Sequence, residues 1–389
     1  MRHSLLSASL SLTLAPIAFA QQPPTRTLSK PQLEFAEPFT DIGSVRELSD
    51  GRVIAVDARE LNVKLIDFRA GTATVIGRNG QGPGEYQWPR LLFALPGDST
   101  LLQDAAGNRL MIIQPDGKPG GFFDPAEIET DSGLARIRQF HVRFANGSRY
   151  LFGQAQPIRI GANGTPELTD HYAIERLDFY TKKRDTVALV PLRKDPSRRV
   201  IAGAGVVSSP SMAAWPVWEH WLVAPSGRIT FVEPDPYRVN NLGTDGSVTE
   251  HSPIPYERVR VNDALKKEHE KERSAPSMAM RYNRGGGSTM ELMRRPYTPP
   301  KEWPDFLPPY KGTGTYAPDG MLWIQRMTAA GRPPLYDIID AGGKLFERVE
   351  LPARTKLVGF GASSLYLVRL DEDDLQYLQR YTLPTTARP

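Results

Sequence analysis

The chain has no cysteine. Disulfides, thiolate metal sites, a cysteine nucleophile and a lipidated cysteine anchor are excluded together. Past the N-terminus, no stretch approaches the roughly 18 apolar residues that a membrane-spanning helix needs. His3 aside, the histidines are His141, His171, His220, His251 and His269. None stands in the H-x-x-x-H or H-E-x-x-H spacing that builds a zinc site on one helix. A zinc site could then be assembled only from separate elements. No G-x-S-x-G turn offers a serine nucleophile. The Ser208-Ser209-Pro210-Ser211 cluster has no base beside it.

What is present is a globular composition, 40% hydrophobic and 24% charged, over 389 residues. With 33 Gly and 35 Pro, the chain suits many turns better than long helices. Residues 1–20 read as an export signal. Arg2 and His3 lead, Leu5 to Ile17 is a short apolar run, and Ala18-Phe19-Ala20 is a small-residue cleavage site before Gln21. The formal net charge of +4 is too small to imply nucleic acid. The segment Tyr256–Lys311 carries 12 Lys/Arg against 8 Asp/Glu, so the excess is concentrated there.

Residues 21–32 read as a flexible lead. From Ser44 onward a unit recurs: period-two runs joined by short turns such as Asp50-Gly51, Asp116-Gly117, Asn146-Gly147, Asp245-Gly246 and Asp319-Gly320, the hairpin signature. Five units have four strands each, and a sixth, from Lys356, has three. The strand-like Leu33–Glu37 supplies the missing one. Pairing it with Leu375–Leu383 closes a ring and removes an exposed sheet edge. The expected fold is all-β: a six-bladed β-propeller over residues 33–384, a lid-like insertion at 252–314, and a tail at 385–389. A pair of β-sandwiches is the rival.

Gly77 to Arg90, GRNGQGPGEYQWPR, alternates glycines in a way that suggests a phosphate cradle. It lacks the Walker lysine, and Pro83 and Pro89 block the helix such a cradle opens. A fixed connector between two blades fits better. This segment, Trp303–Tyr310 and Pro318–Ile324 together resemble exported bacterial six-bladed propellers of the NHL/TolB-like group, over most of residues 33–384. The resemblance implies the fold and export to the periplasm or beyond. It carries no catalytic residue set.

Propeller geometry puts the turns between strands one and two, and three and four, on one face. The remaining connections lie on the other, and they include every long segment: 77–90, 155–171, 191–217 and 252–314. Binding is expected on that face. The ends of the second strands reach it with Asp57, Asp104, Gln154, Glu233, Arg326 and Arg369. Asp57, Asp104 and Glu233 are candidate ligands for Ca2+ or another divalent metal; the alternative is that each acid caps its own loop. The leading ends of the innermost strands offer Arg46, Arg90, Arg138, Trp218, His220, Lys311 and Lys356, a basic mouth suited to anions. With Arg369, these are the expected ligand-binding residues. In the insertion, Asn262 caps a helix running to about Ser274, and Arg284–Ser288 reads as a hinge.

The expected role is a monomeric exported binding protein for a small-molecule or protein ligand, anionic in character, without nucleic acid. The alternative is a metal-assisted hydrolase, lactonase or lyase at the same mouth.

Overall fold

The computed structural model describes residues 23–28, 30–106, 109–123, 140–155, 158–160, 162–163, 166–191, 199–201, 205–207, 214–216, 220–243, 247–282, 288–294 and 296–384. Residues 1–20, read above as an export signal, Arg138, Trp218, the Ser208–Ser211 cluster and most of the expected glycine hinge lie outside these residues.

Blade 1 shows how the sequence builds a sheet. Its strands are Ile42–Glu47, Val53–Asp57, Asn62–Asp67 and Thr72–Val75, all antiparallel. The second strand is a continuous buried run, Val-Ile-Ala-Val. Successive side chains point to opposite faces. Val53 and Ala55 therefore enter the core shared with blade 6, while Ile54 and Val56 enter the core shared with blade 2. A strand buried on both faces reads as unbroken hydrophobicity. Each such aliphatic side chain stabilises the fold by about 1.5–3 kcal/mol.

The inner strands of blades 2 to 6 are Pro89–Ala94, Val142–Ala145, His220–Val223, Thr315–Tyr316 and Thr355–Phe360. Hydrophobic clusters join every blade to the next, including blade 6 to blade 1, so the sheets form a closed ring. The fold is a six-bladed β-propeller, and the sandwich alternative is set aside.

Closure follows the expected route over a shorter strand. Leu33–Glu34 pairs antiparallel with Arg380 and Gln379 of blade 6. Phe35 N–H donates to Leu378 O at 2.9 Å, and Phe39 bridges Gln376. Arg369, expected at the ligand site, instead holds this seam. Its Nε and Nη2 donate to the two oxygens of Glu34 at 2.9 and 2.8 Å, and it lies over Tyr377. The residues before it also differ from expectation. Thr25–Thr27 is not a loose lead; it adds a parallel fifth strand to blade 5 beside Arg348–Glu350, with Arg26 paired to Glu347 at 3.1 Å. Two β-branched threonines suit an edge strand.

The glycine segment is a fixed connector. Glu85 folds back into it, accepting from Gly82 N–H at 2.8 Å and Arg78 Nε at 2.6 Å. The loop's own carboxylate therefore lies where an anion would have to sit. Tyr86 is buried, its hydroxyl donating to Ile76 O and accepting from Val63 N–H. Gly77 has φ 68°, and a Cβ there would lie 2.6 Å from Gly84 O.

Two predictions follow from these seams. Gly77→Ala should cost about 1–3 kcal/mol in chemical denaturation, since strain and a backbone clash act together; an unchanged midpoint would contradict the assigned geometry. Arg369 holds the Glu34 carboxyl below its ordinary pKa. A carboxylate depressed in the folded state adds stability above its unfolded pKa and loses it as pH falls through the folded one. Glu34→Gln should therefore lower stability by ~0.5 kcal/mol at pH 7, with the gap closing in the acid range; a pH-independent gap would rule out the ion pair.

Candidate functional site

The acidic ends of the second strands are used locally. Asp57 is buried and accepts from the backbone N–H groups of Thr40, Asp41, Arg59 and Glu60, at 2.8 to 3.2 Å. Asp104 repeats the device one blade on. It accepts from Gln87 N–H at 3.1 Å and Trp88 N–H at 2.7 Å, and pairs with Arg109 at 2.8 Å. Arg109 in turn holds the carbonyls of Gly80, Gln81 and Glu85. Glu233 pairs with Arg238 at 2.6 Å and accepts from Asn240. Each acid fastens its own blade, and among the described residues no three His, Asp or Glu side chains converge as a metal site. The expected metal set of Asp57, Asp104 and Glu233 does not fit a shared ion, because the aspartates commit lone pairs to backbone amides and Glu233 commits its own to Arg238 and Asn240.

The basic mouth divides in the same way. Arg46 lies at the opposite end of its strand from the one expected, because the strand starts two residues earlier, at Ile42. Its guanidinium reaches the short-turn face, 3.0 Å from Asp98 and 2.8 Å from Thr100 Oγ1. Arg90, Lys356 and His220 do sit at the leading ends of their strands. Arg90 is exposed and lies 5.1 Å over the Trp88 ring. Lys356 is exposed, its Nζ 3.5 Å from Ile42 O in the neighbouring blade. His220 Nε2 accepts from Gly314 N–H at 3.4 Å, and its ring faces Tyr310. The sequence reading missed His141 and Arg143 at the same end of blade 3. Burial lowers both pKa values, and Arg143 lowers that of His141 further.

Lys311 leads to the most developed site, the space between the insertion and blades 5 and 6. The insertion's helix, α1, spans Asp263–Ser274. Asn262 caps it, its side chain accepting from Leu265 N–H at 3.0 Å. Leu265, Glu268, His269 and Glu272 fall on one face, at the i, i+3, i+4, i+7 spacing that aligns side chains along a helix. That face turns down onto the propeller. His269 is buried; its Nε2–H donates to Ala214 O at 2.6 Å, and its ring packs against Trp215, Tyr297 and Trp303. Glu268 accepts from Gly331 N–H, and Glu272 pairs with Lys311, each at 2.8 Å.

Beneath this roof is a cavity of about 300 Å³. Its floor is Gln325, Arg326 and Met327; Arg332, Pro333 and Arg354 stand at its side. Arg326 immediately follows the second strand of blade 5, Leu322–Gln325, and bridges Tyr310, at the place where blades 1 and 2 carry Asp57 and Asp104. It is 7% exposed, and its only side-chain hydrogen bond among the described residues is Nη1 to Asp337 Oδ2 at 3.4 Å. Asp337 is shared: Arg348 Nε donates at 3.1 Å and Tyr237 Oη at 3.2 Å. Burial, then the Asp337 charge, hold the Tyr237 phenol well above its ordinary pKa, so it stays a donor. The Arg326 guanidinium lies 4.6 Å from the Tyr256 ring centre and 5.6 Å from that of Tyr237.

Truncation should separate the two charge clusters. Asp337→Asn strands the buried Arg326 guanidinium and loosens the half-buried Arg348, and should cost about 3 kcal/mol. Glu272→Gln removes one exposed ion pair and should cost no more than ~0.5 kcal/mol. Comparable losses in urea denaturation would contradict this assignment.

No protein-family model matches the chain, and no curated relative matches it. Solved structures do share the fold. A calcium-binding regucalcin from Agrobacterium tumefaciens is 12% identical, with 93% of this chain and 97% of that one covered and a TM-score of 0.41. A streptogramin B lyase is 14% identical, covering 90% and 87%, with a TM-score of 0.37. A gluconolactonase from Xanthomonas campestris is 10% identical, covering 90% and 91%, with a TM-score of 0.38. Similarity at this level concerns the fold, and no chemistry is inferred from it.

Proposed function

We propose that this is an exported propeller of the NHL/TolB-like kind that binds a small acid in the cavity roofed by helix α1. The observation that supports it is Arg326. A guanidinium has five N–H donors. Arg326 is 7% exposed and pairs with Asp337 through Nη1 at 3.4 Å; its other nitrogens are not sealed in the protein but reach the cavity that Arg326 lines, where an acceptor can meet them. A planar fork matches a carboxylate or a phosphate oxygen pair. Arg332, exposed and unpaired among the described residues, adds a second positive charge at the rim. Binding proteins and enzymes share this fold, so the argument rests on the site.

The second reading, a hydrolase, lactonase or lyase, has named counterparts in the streptogramin B lyase and the gluconolactonase. Here it draws on one local feature: Glu272 and Lys311 form an acid–base pair at the cavity, next to a guanidinium able to steady an oxyanion. The acids expected to hold its metal serve their loops instead, so no metal-borne step is assigned.

Isothermal titration of the mature chain against small carboxylates and phosphate monoesters tests the first reading. A carboxylate should bind, and Arg326→Lys, which keeps the charge and loses the fork, should weaken it at least about tenfold. Equal affinity in that variant would overturn the anchor. Turnover of a lactone or ester panel, abolished by Glu272→Gln, would instead favour the second reading.

A further inference from the structure

The charges around the cavity are segregated. The cations stand on the propeller: Lys311, Arg326, Arg332 and Arg354. The acids stand on the roof, Glu268 and Glu272, one helical turn apart on the face of α1 that looks into the cavity. Some of these groups are already engaged. Lys311 is paired with Glu272, and Arg354 donates to Leu370 O and approaches Asp374. What remains on the floor is the part of the Arg326 guanidinium not engaged by Asp337, a side chain nine-tenths buried and packed over Tyr237 and Tyr256, with Arg332 beside it. What remains on the roof is one oxygen of each glutamate. Glu268 Oε1 takes Gly331 N–H and Glu272 Oε1 takes Lys311 Nζ, while both Oε2 atoms have no hydrogen bond among the described residues.

A simple anion would satisfy Arg326 and face two carboxylates across the cavity. A simple cation would satisfy the roof and be repelled by the floor. A molecule with an anionic and a cationic end satisfies both walls. We infer that the ligand is a zwitterion of amino-acid or dipeptide size, its carboxylate on the Arg326 fork and its ammonium beneath Glu268 and Glu272. This rests on the reading of the cavity as a small-acid site and specifies it. The volume of about 300 Å³ lies at the lower end for ligand pockets and suits that size. Trp215, Leu265, Met327 and Pro333 also line the cavity and offer an apolar surface to the ligand's side chain.

The test is titration calorimetry on the mature chain with matched probes. These are L-phenylalanine, L-leucine and alanyl-phenylalanine; their deaminated counterparts 3-phenylpropanoate and 4-methylpentanoate; and 2-phenylethylamine. At least one zwitterion should bind about tenfold or more tighter than the acid of the same body, as expected for a charge-assisted hydrogen bond. The amine should bind far more weakly than either. The double variant Glu268→Gln/Glu272→Gln should bring the zwitterion down to the acid's affinity and leave the acid no weaker than before. Acids that bind as tightly as zwitterions would overturn this inference while leaving the small-acid reading in place. So would a zwitterion preference that survives the double variant, or an amine that matches the zwitterion. If neither acids nor zwitterions bind, both readings fall.

Discussion

Pairing of Leu33–Glu34 with Gln379–Arg380 joins the two ends of the chain in one sheet, and the geometry of the site descends from it. Leu33–Glu34 is the outermost strand of blade 6, so it completes that sheet at its periphery and ties the N-terminal segment to the last blade. With the ring closed, each blade packs against two neighbours, and both faces of its central strands are buried. That explains the unbroken apolar runs Val53–Val56 and Leu365–Val368. It also gives the long connections a rigid base. A helix of low apolar content such as α1 has little reason to hold its place alone. Here Leu265 and His269 anchor it to a scaffold that cannot shear.

The repeat then makes departures from the repeat informative. In blades 1 and 2 an aspartate at the end of the second strand gathers the backbone amides that lead into the inner strand. Blade 5 keeps the backbone arrangement, with Lys311 N–H donating to Gln325 O and Tyr310 bridging Arg326. It replaces the carboxylate with a guanidinium. The change removes a local cap and creates a buried cation that Asp337 only partly satisfies. Structural economy would not favour that exchange, because a buried charge is costly unless well paired. The position is therefore where a functional departure is to be expected.

Much of the fold was legible in the sequence. The glycine turns marked the hairpins, the missing strand pointed to closure by Leu33, and Asn262 announced helix α1. The charged side chains were less legible, for a physical reason. Arg46 and Arg369 looked free because their partners, Asp98 and Glu34, lie 52 and 335 residues away and meet them only in the folded ring. A strand start displaced by two residues sent Arg46 to the other face. Asp57 and Asp104 could be read as ligands or as caps until their amide partners were seen. The strand Thr25–Thr27 was missed because it forms only against blade 5. Arg326 carried a signal that could have been used: like Arg369, it is a cation where blades 1, 2 and 4 carry an acid.

The central claim is that the Arg326 guanidinium receives the ligand's acid group. Nitrogen-15 NMR of the arginine side chains addresses it directly, with the Arg326 signal assigned through Arg326→Lys. On saturation with the tightest-binding acid or zwitterion, the Arg326 Nε–H resonance should shift and its exchange with water should slow, while Arg369 and Arg46 stay unchanged. A bound ligand that leaves the Arg326 resonance unmoved would contradict the account and place the site elsewhere on the long-loop face.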